Sequence, residues 1–168
     1  MTARGVWIWE LARDAAEIHA LLCASDAFVA TSEAPAPVRN MVSTQGLIEA
    51  GATQVLRLDG RAVASFNLLW KPPFDLLNAE FPPCVRPAYL TRLAVDPEWL
   101  AGGALVGAQC LRRAVDLAIE SGADALRSET NPDLARTRAM LELFGFTEHG
   151  AVRDPDGRRR VYLHLALS

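Results

Sequence analysis

The sequence predicts a single mixed α/β domain, a mostly antiparallel sheet with helices on its faces. Three observations carry this. Strand-type and helix-type hydrophobic periods alternate along the chain, hairpin signals occur at two places, and 168 residues is the length of one compact unit. The predicted order is β-α-α-β-β-β-α-β-α-β-β across residues 1–168, with no internal repeat, low-complexity tract or dividing linker.

Gly5 precedes Val6-Trp7-Ile8-Trp9-Glu10, a run of branched and aromatic residues that reads as the first strand. Asp14 stands three positions before Glu17, the spacing of a capping box. Ile18, Leu21 and Leu22 then give the apolar face of a helix running to about Ala24. Thr31 to Pro37 is a polar, proline-bearing loop. A second helix is predicted over Val38 to Ala50, with Val42, Leu47 and Ile48 inward and Gly51 as the stop. Thr53 to Leu58 and Ala62 to Trp70 are strands joined at Asp59-Gly60, a pair suited to the positive φ angles of a tight hairpin.

Lys71 to Pro87 contains Pro72, Pro73, Pro82, Pro83 and Pro87, which exclude a central strand and predict a long loop of the kind that often carries function. Tyr89 to Val95 reads as a buried strand ended by Asp96-Pro97. A long helix follows from Ala104 to Ser121-Gly122, its predicted inward stripe being Ala108, Leu111, Val115 and Ala118. Ala125 to Glu129 is a short strand. Asn131-Pro132-Asp133 offers a cap followed by proline at the first helical position, and predicts a helix to about Phe144 that Gly145 ends. Phe146 to Val152 and Arg159 to Leu167 close the chain as strands around Asp154-Pro155-Asp156-Gly157.

Composition narrows the function. Lys plus Arg is 17 against 20 Asp plus Glu, a formal charge of −3, whereas duplex binders carry a basic excess. No apolar run approaches the roughly 20 residues that cross a bilayer. Neither a nucleic-acid nor a membrane partner is expected. Cys23, Cys84 and Cys110 are widely spaced and form no C-x-x-C pair, so neither a zinc site nor a disulfide framework is suggested. No secretory pattern opens the chain, and a cytoplasmic location is the expectation.

The chemistry-bearing segment runs from the strand ending at Asp96-Pro97, through Gly102-Gly103, into the long helix. A helix N-terminus leaves backbone N–H groups unpaired and carries partial positive charge. Glycines ahead of it let main chain approach an anion, so Gly102, Gly103 and Ala104 could donate to a phosphate or pyrophosphate. Many strand-to-helix turns contain glycine for steric reasons alone. G-x-x-x-x-G-K-[ST] and G-x-G-x-x-G are both absent.

The segment resembles the GNAT superfamily of acyl-coenzyme A-dependent N-acetyltransferases. The resemblance begins at Trp7-Ile8-Trp9-Glu10-Leu11-Ala12-Arg13-Asp14 and strengthens at Leu90-Thr91-Arg92-Leu93-Ala94-Val95-Asp96-Pro97, similar to the family strand ending in V-x-P. It returns at Leu141-Glu142-Leu143-Phe144-Gly145-Phe146, which resembles the Y-E-K-L-G-F ending. The resemblance implies acetyl transfer from acetyl-CoA, as co-substrate and without a metal, to a small-molecule or peptide amine. It also implies that Leu93, Ala94 and Val95 offer backbone groups to pantetheine and acyl oxygen, while Gly102, Gly103 and Ala104 hold the pyrophosphate. The family pattern Q/R-x-x-G-x-G/A, counted from Pro97, falls on Leu100, Ala101, Gly102, Gly103, Ala104 and Leu105. The family's acid tyrosine falls on Leu141 and its coenzyme-contacting asparagine on Leu134. These departures keep open an alternative, a degenerate member that binds acyl-CoA or a partner without catalysis.

Among the remaining candidates, Glu129 stands at a strand end near the expected acyl site as a general base, or as a surface carboxylate, the plainer reading. Tyr89 and Thr91 are polar positions on the central strand that face either an acceptor cleft or the core. Glu80 could meet an amine but reads more plainly as solvated loop charge. His149 and His164 read as sheet residues without a triad partner, and Cys110 as core. Cys84 has no histidine nearby in sequence to make it a nucleophile, and Arg158-Arg159-Arg160 reads as a solvated turn. Trp99 adjoins the glycine turn. The acceptor's identity and the choice between monomer and homodimer are not legible.

Overall fold

The computed structural model describes residues 5–74, 80–103, 105–154 and 157–168. The elements are β1 (Trp7–Leu11), α1 (Ala15–Val29), α2 (Met41–Glu49), β2 (Thr53–Leu58), β3 (Arg61–Leu69), β4 (Pro87–Val95), α3 (Pro97–Ala101), α4 (Leu105–Glu120), β5 (Ala125–Thr130), α5 (Ala135–Leu143), β6 (Thr147–Arg153) and β7 (Arg159–Ala166). This is the predicted order with one addition, the short α3. The strands form one seven-stranded sheet, β1-β2-β3-β4-β5-β7-β6, in which only β4 and β5 run parallel.

Alternation along the strands splits the core in two. Val55, Ala62 and Ala94 face α1 through Ile18, Leu21 and Leu22. Leu56, Val63, Phe66 and Leu90 face the other way, against Cys110, Leu111 and Ala114 of α4 and Leu141 of α5. Local signals account for the boundaries. Asp14 caps α1 by accepting from Glu17 N–H at 3.2 Å. Asp59 (φ +49) and Gly60 (φ +85) turn the β2–β3 hairpin, and Asp59 Oδ1 also accepts from Val6 N–H at 2.9 Å.

Four expectations are corrected. Helix α1 continues past Ala24 to Val29, because Ser25 remains on its buried face. In α2, which Asn40 caps at Val42 and Ser43, Ile48 packs on the core as predicted, but the fully buried residue is Thr44 and Val42 is 78% exposed. The buried stripe of α4 is Val106, Gly107, Cys110, Leu111, Ala114 and Ala118, rotated from the predicted one. Leu111 and Ala118 belong to both stripes, and Gln109, Arg112, Asp116 and Glu120 form the exposed polar face. Helix α5 begins only at Ala135, since Asn131 Oδ1 accepts from Asp133 N–H at 2.9 Å and closes a separate turn first. Among the described residues no helix is long and apolar enough to cross a membrane.

Candidate active site

The site originates in an irregularity of the central strand. Between Ser65 and Asn67, β3 contributes one residue, Phe66, where β4 contributes two, Arg92 and Leu93. Arg92 takes φ +52, a conformation that costs a non-glycine residue about 1–3 kcal/mol. A bulge increases local twist and bends its strand. Accordingly β4 pairs with β5 only over Pro87–Tyr89 against Ala125–Arg127. The Ser128 hydroxyl donates to Leu90 O at 2.8 Å just beyond the last pair. From there a split opens, with the end of β4 as one wall and the end of β5 as the other.

Along the β4 wall, Ala94 stays paired with Ser65. Asp96 N–H donates to Val63 O at 2.8 Å, so by alternation Val95 N–H faces away from β3. It donates there to the Ser25 hydroxyl at 3.0 Å, a buried contact. Leu93 is the second residue of the bulge and half-buried.

Gly102 and Gly103 are not open donors, which corrects the expectation from sequence. Both N–H groups turn back onto the Leu100 carbonyl, Gly103 at 3.1 Å and with φ +116. The reason is α3: once residues 97–101 coil into a helix, its last carbonyls need a cap, and the glycines supply it. Ala104 lies outside the described residues. Main-chain donors remain in the first turn of α4, at Leu105, Val106 and Gly107, because an α-helix leaves its leading N–H groups without internal acceptors. The Leu105 side chain is 72% exposed and Leu100 packs on the core. A Cβ on Gly107 would stand 3.0 Å from Met140 Sδ, so glycine there lets α5 approach α4 closely.

On the β5 wall, Glu129 Oε2 accepts from Arg160 Nη1 at 3.0 Å, and Arg160 Nη2 donates to Asp154 Oδ1 at 2.6 Å. Burial pushes the Glu129 carboxyl up, and the Arg160 guanidinium opposes it. Tyr89 is corrected from a catalytic candidate to a core residue. It sits at the paired base of the split, 2% exposed, its ring edge-on to Phe74 and its hydroxyl 3.5 Å from Arg127 Nη1. Leu141 is buried in the core, and Leu134 precedes α5 without a side-chain cap.

The other candidates fall outside the split. Trp99 meets Trp7 edge-on at 5.1 Å, and Glu80 is exposed. Burial raises the Cys84 thiol and pushes Cys110 up to about 12, so neither is an activated nucleophile.

Two arginines escaped the sequence reading. Arg127, 8% exposed, donates to Pro82 O at 2.9 Å and to His164 Nδ1 at 3.3 Å, and lies 4.4 Å from the centre of the Phe81 ring. Arg92 is half-buried below α1 and α2, and its Nη1 donates to Thr44 Oγ1 at 3.4 Å. The signal for Arg92 is a charged residue inside a largely apolar strand, whereas Arg127 stands beside Ser128, Glu129 and Thr130 and carries no such signal.

No family model and no curated protein matches the sequence. Solved structures do resemble it. A chain of the NatC complex bound to Gag peptide and CoA superposes with TM-score 0.73 at 12% identity, over 96% of this chain and 99% of that one. A GNAT-family acetyltransferase from Streptococcus agalactiae gives 0.71 at 16% identity, covering 96% of each. The ribosomal-protein-alanine N-acetyltransferase of Brucella melitensis gives 0.67 at 18%, over 95% of this chain and 99% of that one. Together with the split sheet, these near-complete superpositions establish that the chain has the fold of the GNAT acetyltransferases.

Proposed function

We propose that this chain is an acyl-CoA-dependent N-acyltransferase that moves an acetyl group from coenzyme A to an amine. One observation supports this above the others: the bulge at Arg92–Leu93 opens β4 from β5, ahead of the long helix α4. In this reading the pantetheine arm lies along Leu93, Ala94 and Val95, and Val95 N–H exchanges the Ser25 hydroxyl for it. The diphosphate meets the first turn of α4, Leu105 to Gly107 with Ala104, and not the amides of Gly102 and Gly103.

The amine nitrogen attacks the thioester carbon, its carbonyl oxygen gathers charge near the Leu93 N–H, and the C–S bond then breaks. The nitrogen's lost proton passes to Glu129 or to water, and the departing thiolate takes a proton from solvent. Glu129 suits this because burial raises its carboxyl towards the working range of a base. Most of the acceleration comes from holding amine and thioester together.

A second reading, binding without transfer, is favoured by the capture of both glycine amides on Leu100 O and by a buried Leu141 where the family places tyrosine. Acetyl-CoA titrated against the melting temperature, followed by thiol release across an amine panel, separates the two. A rise in Tm with thiol release supports transfer. A rise alone supports the binding reading, and no rise at saturating acetyl-CoA removes both.

A further inference from the structure

The most unusual charge in the molecule is Arg92. It lines a small recess together with Thr44 of α2, Thr53 of β2, Ser65 and Asn67 of β3, and apolar side chains of α1 and α2. Its neighbouring carboxylate, Asp26, is already committed: Arg39 Nε reaches Asp26 Oδ2 at 2.7 Å and Arg39 Nη2 reaches Oδ1 at 3.1 Å. Arg92 therefore has no carboxylate partner among the described residues, and Thr44 Oγ1, at a long 3.4 Å, is its one side-chain acceptor. Arg39, Asp26 and Arg92 together leave one positive charge uncompensated. Burial, and the like charge of Arg39, disfavour that cation, with Asp26 opposing them.

A partly buried guanidinium without a counter-ion is a poor way to fill space, because an uncharged side chain of similar volume avoids the desolvation cost. It is a good way to hold an anion, since the planar fork matches a carboxylate through two parallel N–H···O bonds. One uncompensated charge suits a monoanion. The position is also informative. Arg92 adjoins Leu93, whose N–H the acyltransfer reading places at the thioester oxygen, and consecutive Cα atoms lie about 3.8 Å apart. The recess, about 10 Å³, is too small for an organic group, so in this proposal the ligand docks at its rim, against the half-buried Arg92.

We propose that Arg92 is an acceptor-recognition residue and that the amine acylated by this chain carries a carboxylate, as a free amino acid does. This rests on the acyltransfer reading, and the experiment tells the two apart. Thiol release from acetyl-CoA is measured with free amino acids (glycine, leucine, phenylalanine, glutamate) and with the matching amino-acid amides, for the native chain, Arg92→Gln and Arg92→Lys. In parallel, the same probes are titrated against the melting temperature without coenzyme.

At least one acid is expected to exceed its amide tenfold or more in kcat/KM, chiefly through KM. Arg92→Gln removes that preference, lowering kcat/KM for the acid at least tenfold more than for its amide, and Arg92→Lys restores part of it. Tm is expected to rise with that acid and not with its amide, and Arg92→Gln abolishes the rise. If no amine releases thiol but the acid-specific Tm shift persists, the acyltransfer reading fails and the anion site stands. Equal rates for acids and amides, equal loss of both in Arg92→Gln, or neither preference nor shift in the native chain overturns the proposal.

Discussion

Two regions of one sheet each hold an arginine without a carboxylate partner among the described residues, and they are built in opposite ways. Around Arg127 three groups of the fold meet the guanidinium, Pro82 O at 2.9 Å, His164 Nδ1 at 3.3 Å and the Tyr89 hydroxyl at 3.5 Å, with Phe81 against its face. That residue is buried, and it fastens the proline-rich loop to β5 and β7. Around Arg92 there is a single hydrogen bond, at 3.4 Å, a strained backbone and a recess of mixed polar and apolar lining. Satisfied donors point to a structural role, whereas unsatisfied ones at the rim of a split point to a ligand.

The contrast is broken most directly by Arg127→Met. Removing that guanidinium strands a carbonyl, an imidazole nitrogen and a phenol in the interior, and about 2–4 kcal/mol of unfolding free energy is expected to go. Urea denaturation measures this, and a loss below about 1 kcal/mol would mean the loop is held by its aromatic contacts alone.

Acidification acts on the same cluster more gently. Burial, then Arg127, then His149 lower the His164 pKa from its ordinary 6.5, with Asp124 opposing. The unfolded chain therefore takes up a proton before the folded one, and stability is full above pH 6.5 and falls as pH drops towards the lowered folded value. A protonated ring cannot accept from Arg127 Nε. In His164→Gln the decline beginning near pH 6.5 is expected to be absent from a stability–pH profile.

The smallest effect belongs to Arg92→Gln. With no ion pair to lose, unfolding free energy is expected to change by no more than about 0.5 kcal/mol. A loss as large as that of Arg127→Met would make Arg92 another structural clamp and erase the contrast.

Legibility followed the reach of local chemistry. The Asp14 cap, the Asp59-Gly60 turn and the Gly145 stop each depend on a few adjacent residues, and all are present. The split could be reached through resemblance, but its cause could not: nothing local marks Arg92 for a positive φ, which emerges from the register between β3 and β4. Residues Pro97 to Ala101 lack a helical period long enough to read, yet their coiling decides where the glycine amides point. The Ser25 contact with Val95 spans 70 residues, and no window of sequence contains it. Arg92 was visible only as an interruption in a largely apolar strand, and Arg127, in the polar half of β5, was not marked at all.

That last contact has a consequence for association between chains. A strand that leaves its neighbour presents bare peptide groups, the template on which another molecule's strand can add. Here the outward amide at Val95 is stoppered by a hydroxyl from a helix, and a hydroxyl swings aside by rotation about one bond. The stopper yields to a slender guest without any helix having to unwind, while the parting it guards is only a few residues long and gives a foreign strand little to zip onto.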